Sequence, residues 1–162
     1  MPVAVSALSG AVEISASVAG GFTCALLGDG TARCWGNNSS GELGDGSTVS
    51  SLTPLAVSDL TSAVAISTGF LHACATLSDG TVRCWGFNGH GQLGDGSTVS
   101  SSIPVAVSGL TRAKTISAGS DYACAVLDDL SARCWGSGAN GQLGDGNNEE
   151  VVSSPVPVML GL

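Results

Sequence analysis

The apolar positions of this chain fall in short runs interrupted by clusters of glycine and serine. Cys24-Ala25-Leu26-Leu27 is followed by Gly28-Asp29-Gly30 and then by Thr31-Ala32-Arg33-Cys34-Trp35. That pattern predicts a β-hairpin with a three-residue loop. Glycine stands last in the loop, where a type I turn with a bulge requires positive φ. A second hairpin turns at Ser78-Asp79-Gly80 and a third at Asp128-Asp129-Leu130. Leucine in that last place is expected to cost about 1 kcal/mol or to force another turn. Two more β-prone runs accompany the hairpins. One is proline-led, as in Pro54-Leu55-Ala56-Val57 and Pro104-Val105-Ala106-Val107; the other is Val64-Ala65-Ile66-Ser67 or Lys114-Thr115-Ile116-Ser117. No segment sustains the apolar period of a helix.

These elements recur every 50 residues: Cys24, Cys74 and Cys124 stand in register, as do Cys34, Cys84 and Cys134, and Trp35, Trp85 and Trp135. Three tandem units follow, assigned to residues 1–46, 47–96 and 97–146. About four short antiparallel strands per unit is the pattern of a propeller blade. The expected fold is all-β, with three blade-like units of β-propeller type. Propellers typically need about 4–8 blades, so the array is expected to be open rather than a closed ring within one chain.

The proline-led run occurs at Pro2, Pro54, Pro104 and Pro155, once more often than the hairpin. Residues 147–162 are therefore expected to be the opening strand of an incomplete fourth unit. An unpaired apolar strand needs a receiver. Pro155, Val156, Val158 and Leu160 are the candidates for docking on a neighbouring chain by strand addition. The other reading of the same pattern is a piece of a longer chain.

The six cysteines form three Cys-x9-Cys pairs. Within a hairpin turning at residues 28–30, Cys24 and Cys34 lie opposite each other, close enough for a disulfide. The expected bonds are Cys24–Cys34, Cys74–Cys84 and Cys124–Cys134, and they imply an oxidising, extracellular or cell-surface setting. Zinc is the rival reading, but its ligands usually stand closer in sequence or include histidines at set spacing. Here His72 and His90 do not recur between units.

Charge narrows the partners. Against 13 Asp and Glu stand 5 Lys and Arg, for a net charge of −8. Nucleic-acid binding requires a dense cationic surface, and an anionic membrane makes the same demand. Neither partner is expected, and no apolar run is long enough to insert into a bilayer. No catalytic, cofactor or metal residues are expected. The histidines lack a recurring nucleophile partner, and Asp45, Asp95 and Asp145 supply too few oxygens for calcium and read instead as turn caps. Arg33, Arg83 and Arg133 are expected to pair with nearby aspartates. Trp35, Trp85 and Trp135 read as packing between units. Asn37 and Asn38 each fit the N-glycosylation acceptor pattern, which acts only on an exported chain.

Gly86-Phe87-Asn88-Gly89-His90-Gly91-Gln92-Leu93-Gly94, preceded by Asp79-Gly80 and Trp85, resembles the repeat of the regulator-of-chromosome-condensation family. Gly36 to Gly44 and Gly136 to Gly144 carry the same motif, and His72 occupies the family's histidine position. The resemblance implies a β-propeller. Its members serve as exchange factors, chromatin binders, secreted inhibitors and surface proteins, and the regular cysteine pairs look like those of bacterial extracellular members. The expected function is a non-catalytic structural protein that self-associates head-to-tail through edge strands into an oligomer or filament. The alternative is a module that binds a protein or surface glycan.

Overall fold

The computed structural model describes residues 1 and 3–159. Twelve strands form three antiparallel sheets of four, each a simple meander. The first sheet holds β1 (Ala11–Ala16), β2 (Phe22–Leu27), β3 (Ala32–Gly36) and β4 (Ser51–Ala56). The second holds β5 (Ala63–Thr68), β6 (His72–Leu77), β7 (Val82–Gly86) and β8 (Ser101–Ala106). The third holds β9 (Ala113–Ala118), β10 (Tyr122–Leu127), β11 (Ala132–Gly136) and β12 (Val152–Pro157). Strand β5 lies against both β1 and β9, so the sheets stack face to face with their first strands gathered on one side. Among the described residues they form an open array of three blades, as expected from three repeat units, too few to close a ring.

The expected unit boundaries need correction. The run led by Pro54 does not open the second unit; it closes the first, with Cys34 opposite Leu55. Likewise Cys84 faces Val105, and Cys134 faces Val156. The blades therefore run from Ala11 to Ala56, Ala63 to Ala106 and Ala113 to Pro157. The described part of 147–162 does not begin a fourth unit, because Pro155, Val156 and Val158 already serve the third blade. Val158 continues past β12 by donating its N–H to the Ala132 carbonyl at 3.2 Å. Leu160 and Pro2 lie outside the described residues, and residues 3–5 form no strand. The physical reason is that a repeat has a period but no phase. Proline marks an edge strand, where a missing N–H costs no ladder bond, but it does not say which sheet the edge belongs to.

Cys24 and Cys34 are directly opposed, as are Cys74 and Cys84, and Cys124 and Cys134. Each pair forms a disulfide across its hairpin. The hairpin turns are alike in all three units. Gly30, Gly80 and Leu130 have φ of 80°, 79° and 67°. Leu130 thus accepts the left-handed conformation instead of changing the turn. The blades are not identical, however. Ser15 faces Cys24 and Ser67 faces Cys74, separations of nine and seven residues, so the first blade's β1–β2 connection is two residues longer.

Small residues let the sheets approach closely. Strand β6 (His-Ala-Cys-Ala-Thr-Leu) is buried on both faces between its neighbours. Phe22, Leu26, Leu43 and Val57 of the first blade meet Leu60, Ile66, Ala75 and Trp85 of the second in one apolar cluster. Leu93 and Val107 meet Leu110, Ile116, Ala125 and Trp135 in the next. A third, smaller cluster of Cys134, Leu143 and Val152 with Tyr122 and Val158 has no further blade against it among the described residues.

Candidate assembly interface

Each blade contributes two different faces, one from each side of its strands. The junction between the first two blades is fixed by Trp85, whose Nε1 donates to the Glu42 carbonyl at 2.9 Å. Trp135 repeats this toward Gln92, also at 2.9 Å. Both indoles are fully buried. Close approach depends on Gly44 and Gly94. A Cβ there would lie 2.8 Å and 2.7 Å from the indole nitrogen, so only glycine leaves room for the ring. The backbone joins in as well: Gly46 N–H donates to Ser102 O across the first junction, and Gly96 N–H to Ser153 O across the second.

The ends of the array carry the unmatched halves of this contact. Ile14, Ile66 and Ile116 are equivalent, facing Ala25, Ala75 and Ala125 on the neighbouring strand. Ile66 and Ile116 are buried, whereas Ile14 is 61% exposed. Trp35 is only half-buried. At the far end, among the described residues a Cβ on Gly144 would meet only Val158, at 3.1 Å, with no indole nearby. The sequence pattern assigned one packing role to all three tryptophans; among the described residues Trp85 and Trp135 enter sockets and Trp35 has none.

The loop after each Trp-Gly is held from within. Asn38 is fully buried; its Nδ2 donates to Asp45 Oδ1, Ser47 O and Val49 O at 3.1–3.2 Å, and its Oδ1 accepts from Leu43 N–H at 2.9 Å. Asn88 does the same for the second loop. Asn38 is therefore corrected as a glycan acceptor, because the nitrogen that would carry the sugar is enclosed and committed. Asn37 is half-buried and donates to Ser39 Oγ and Glu42 Oε1. In the third loop Gly138 takes the asparagine's place, so this hub is absent there. Asp45 and Asp95 cap their turns through Ser47 and Ser97.

Arg33, Arg83 and Arg133 form no salt bridge among the described residues, contrary to expectation. Arg112, absent from that set, pairs with Asp128 and Asp129 on an exposed corner. Sequence reasoning also missed the burial of His72. Its ring is enclosed at the second junction with no partner on either nitrogen. Burial pushes its pKa down to about 4, partly opposed by the charge of Asp121. The signal was its register: His72 holds the place of Phe22, an apolar core residue.

Stacked four-stranded meanders with a tryptophan locking each blade to the one before define a tandem propeller-blade protein. More particularly, the chain belongs to the regulator of chromosome condensation (RCC1) repeat family. One form of that repeat matches residues 29–76 and 79–126, and a second matches residues 14–42, 63–92 and 113–142. No curated protein matches the sequence. Among solved structures, yeast RCC1 superposes with a TM-score of 0.79 at 19% identity, over 95% of this chain and 38% of that one. Human WBSCR16 gives 0.80 at 22% identity, over 93% and 40%. The ectodomain of the Physcomitrella patens receptor kinase CR4 gives 0.51 at 24% identity, over 87% and 35%. The chain spans about two fifths of the length of these structures.

Proposed function

We propose that this chain is a non-catalytic assembly module of an oxidising, extracellular or cell-surface setting, which associates head-to-tail with further copies of itself. One observation carries the reading: the array exposes both halves of a contact that it makes twice internally. Trp35 and Ile14 at one end lack a socket, and the Leu143–Gly144 socket at the other lacks a tryptophan. Repeat units with uncovered apolar faces gain stability from each added neighbour. Identical head-to-tail contacts give a ring when the rotation closes and a filament when it does not. The strand-addition route gives way here to face-on stacking of blades, since β12 is already paired with β11.

The disulfides support the oxidising setting. A binding role is the second reading. Yeast Prp20p, a similar fold at 22% identity, is described with its binding to Gsp1p and histones. The third loop, which lacks the asparagine hub, is the part of this chain free to differ toward a protein or glycan partner. Multi-angle light scattering across a concentration series tests the leading proposal. Species of two or more chains, lost on Trp35→Ala, are expected; a monomer at every concentration overturns it.

A further inference from the structure

We propose that the connections between the first two strands of the three blades form a binding pocket for a small free organic cation, an alkylammonium with apolar substituents. The pocket is independent of any contact between copies. A cavity of about 270 Å³ lies where the three connections meet. Val18 and Ala19 line it from the first blade, Gly69 and Phe70 from the second, and Ala118 and Gly119 from the third. The repeats diverge at this place. Leu43 to Ser51 and Leu93 to Ser101 are identical, whereas Ser17-Val18-Ala19-Gly20-Gly21, Gly69-Phe70-Leu71 and Gly119-Ser120-Asp121 share little beyond glycine. Packing between like blades is met by like residues; a site for one ligand is built from unlike ones.

The pocket is held in shape from within. Phe70 N–H donates to Ser120 O at 3.1 Å, and Phe70 O accepts from Ser17 Oγ at 3.0 Å, so the second connection is tied to both neighbours. A Cβ on Gly69 would stand 2.6 Å from His72 Nδ1, and one on Gly119 2.8 Å from Tyr122 Cδ1, so the rings of the following strands lie directly under these glycines. Small ligands are held by cavities of this kind, largely preformed and mostly apolar. The volume lies just below the roughly 300–1,000 Å³ of drug-sized sites, which suits a headgroup-sized molecule.

Charge selects the ligand. No lining residue is charged among the described residues, and burial keeps His72 neutral beneath Gly69. Asp121 stands at the rim: Ser120 Oγ donates to its Oδ2 at 2.9 Å, and no salt bridge engages it among the described residues. Phe70 adds an aromatic ring and is 37% exposed. A ring beside a carboxylate attracts an organic cation through both quadrupole and charge. The net charge of −8 draws cations toward the chain from further away. A sugar fits less well, because the wall hydroxyls are engaged, Thr68 Oγ1 with Ser15 Oγ and Ser120 Oγ with Asp121. A bound peptide strand would need main-chain donors. The Gly69, Phe70 and Gly119 N–H groups already donate to His72 O, Ser120 O and Tyr122 O.

Calorimetric titration of the whole chain with choline tests this, with the unfolding midpoint of each variant recorded beside it. Saturable one-to-one binding is expected. It should be about tenfold weaker in Asp121→Asn, several-fold weaker in Phe70→Ala, and unchanged in Asp79→Asn, which removes the same charge beyond the opposite end of β6. The neutral carbon isostere of choline should bind more weakly than choline itself. In the wild type, amide shifts on titration should be confined to residues 17–21, 68–71 and 118–121. No saturable binding, or shifts centred elsewhere, overturns the proposal. Equal binding of the isostere overturns the cation as the ligand, and equal weakening in Asp79→Asn reduces the effect to net charge and overturns the site. Tighter binding of a lysine-rich peptide than of choline overturns the free small molecule as occupant.

Discussion

Trp85 reaches back 43 residues to the Glu42 carbonyl, so a side chain of the second blade completes a loop of the first. The bond is 2.9 Å long and wholly enclosed, and the indole fills the space that Gly44 leaves open. The first two blades are therefore joined at this point by a buried side-chain bond as well as by apolar packing.

Trp85→Ala is expected to destabilise the chain by about 3–5 kcal/mol, the usual cost of emptying a tryptophan site. Trp35→Ala, at the half-buried first position, is expected to cost less than half as much in the dilute protein. Urea denaturation of the two variants measures the difference. Equal losses would mean that Trp35 is covered by something other than a preceding copy.

Each disulfide closes a hairpin with a sequence separation of 10. Reduction is expected to remove about 2–3 kcal/mol per bond, since a short loop recovers limited chain entropy. Unfolding midpoints with and without reductant measure this. Intact mass should be that of the bare chain less six hydrogens; free thiols would contradict the pairing.

Acid should loosen the second junction. His72 is neutral in its buried site, with a pKa near 4 against 6.5 in the unfolded chain. The unfolded state therefore binds the proton first. The stability tied to the neutral ring is complete above pH 6.5 and falls steadily as pH drops toward 4, by about 3 kcal/mol at most. His72→Phe, which places in the second blade the residue that the first has at Phe22, is expected to flatten this slope. Melting temperature between about pH 7 and about pH 4 is the readout.

Asn38→Ala is expected to cost about 2–4 kcal/mol, because it leaves Leu43 N–H and two loop carbonyls without their partner. Hydrogen exchange should show residues 43–50 losing protection while the hairpin at Cys24–Cys34 keeps it. Uniform loss throughout the first blade would show that the loop and the sheet open together.

The hairpins were legible because they are local. Cys24 and Cys34 are brought together by a turn whose chemistry is written in the three residues between the strands. The same locality exposed Leu130 as an exception in its turn, and the structure shows that the leucine takes the left-handed conformation there, with φ of 67°. Asn38 shows the opposite failure. A three-residue acceptor motif suggested a surface sugar site, while the residue is the buried centre of a loop that closes over it.

Strand content, repeat length, cysteine pairing and the expectation of open ends were determined by the sequence alone, because each depends on contacts within a turn or on simple repetition. Where one blade stops and the next starts, and which tryptophan finds a socket, were decided only in the tertiary structure. A period carries no phase, and the phase is set by which strands exchange hydrogen bonds. The fate of Trp35, Trp85 and Trp135 is set by whether a neighbouring sheet is there to receive them.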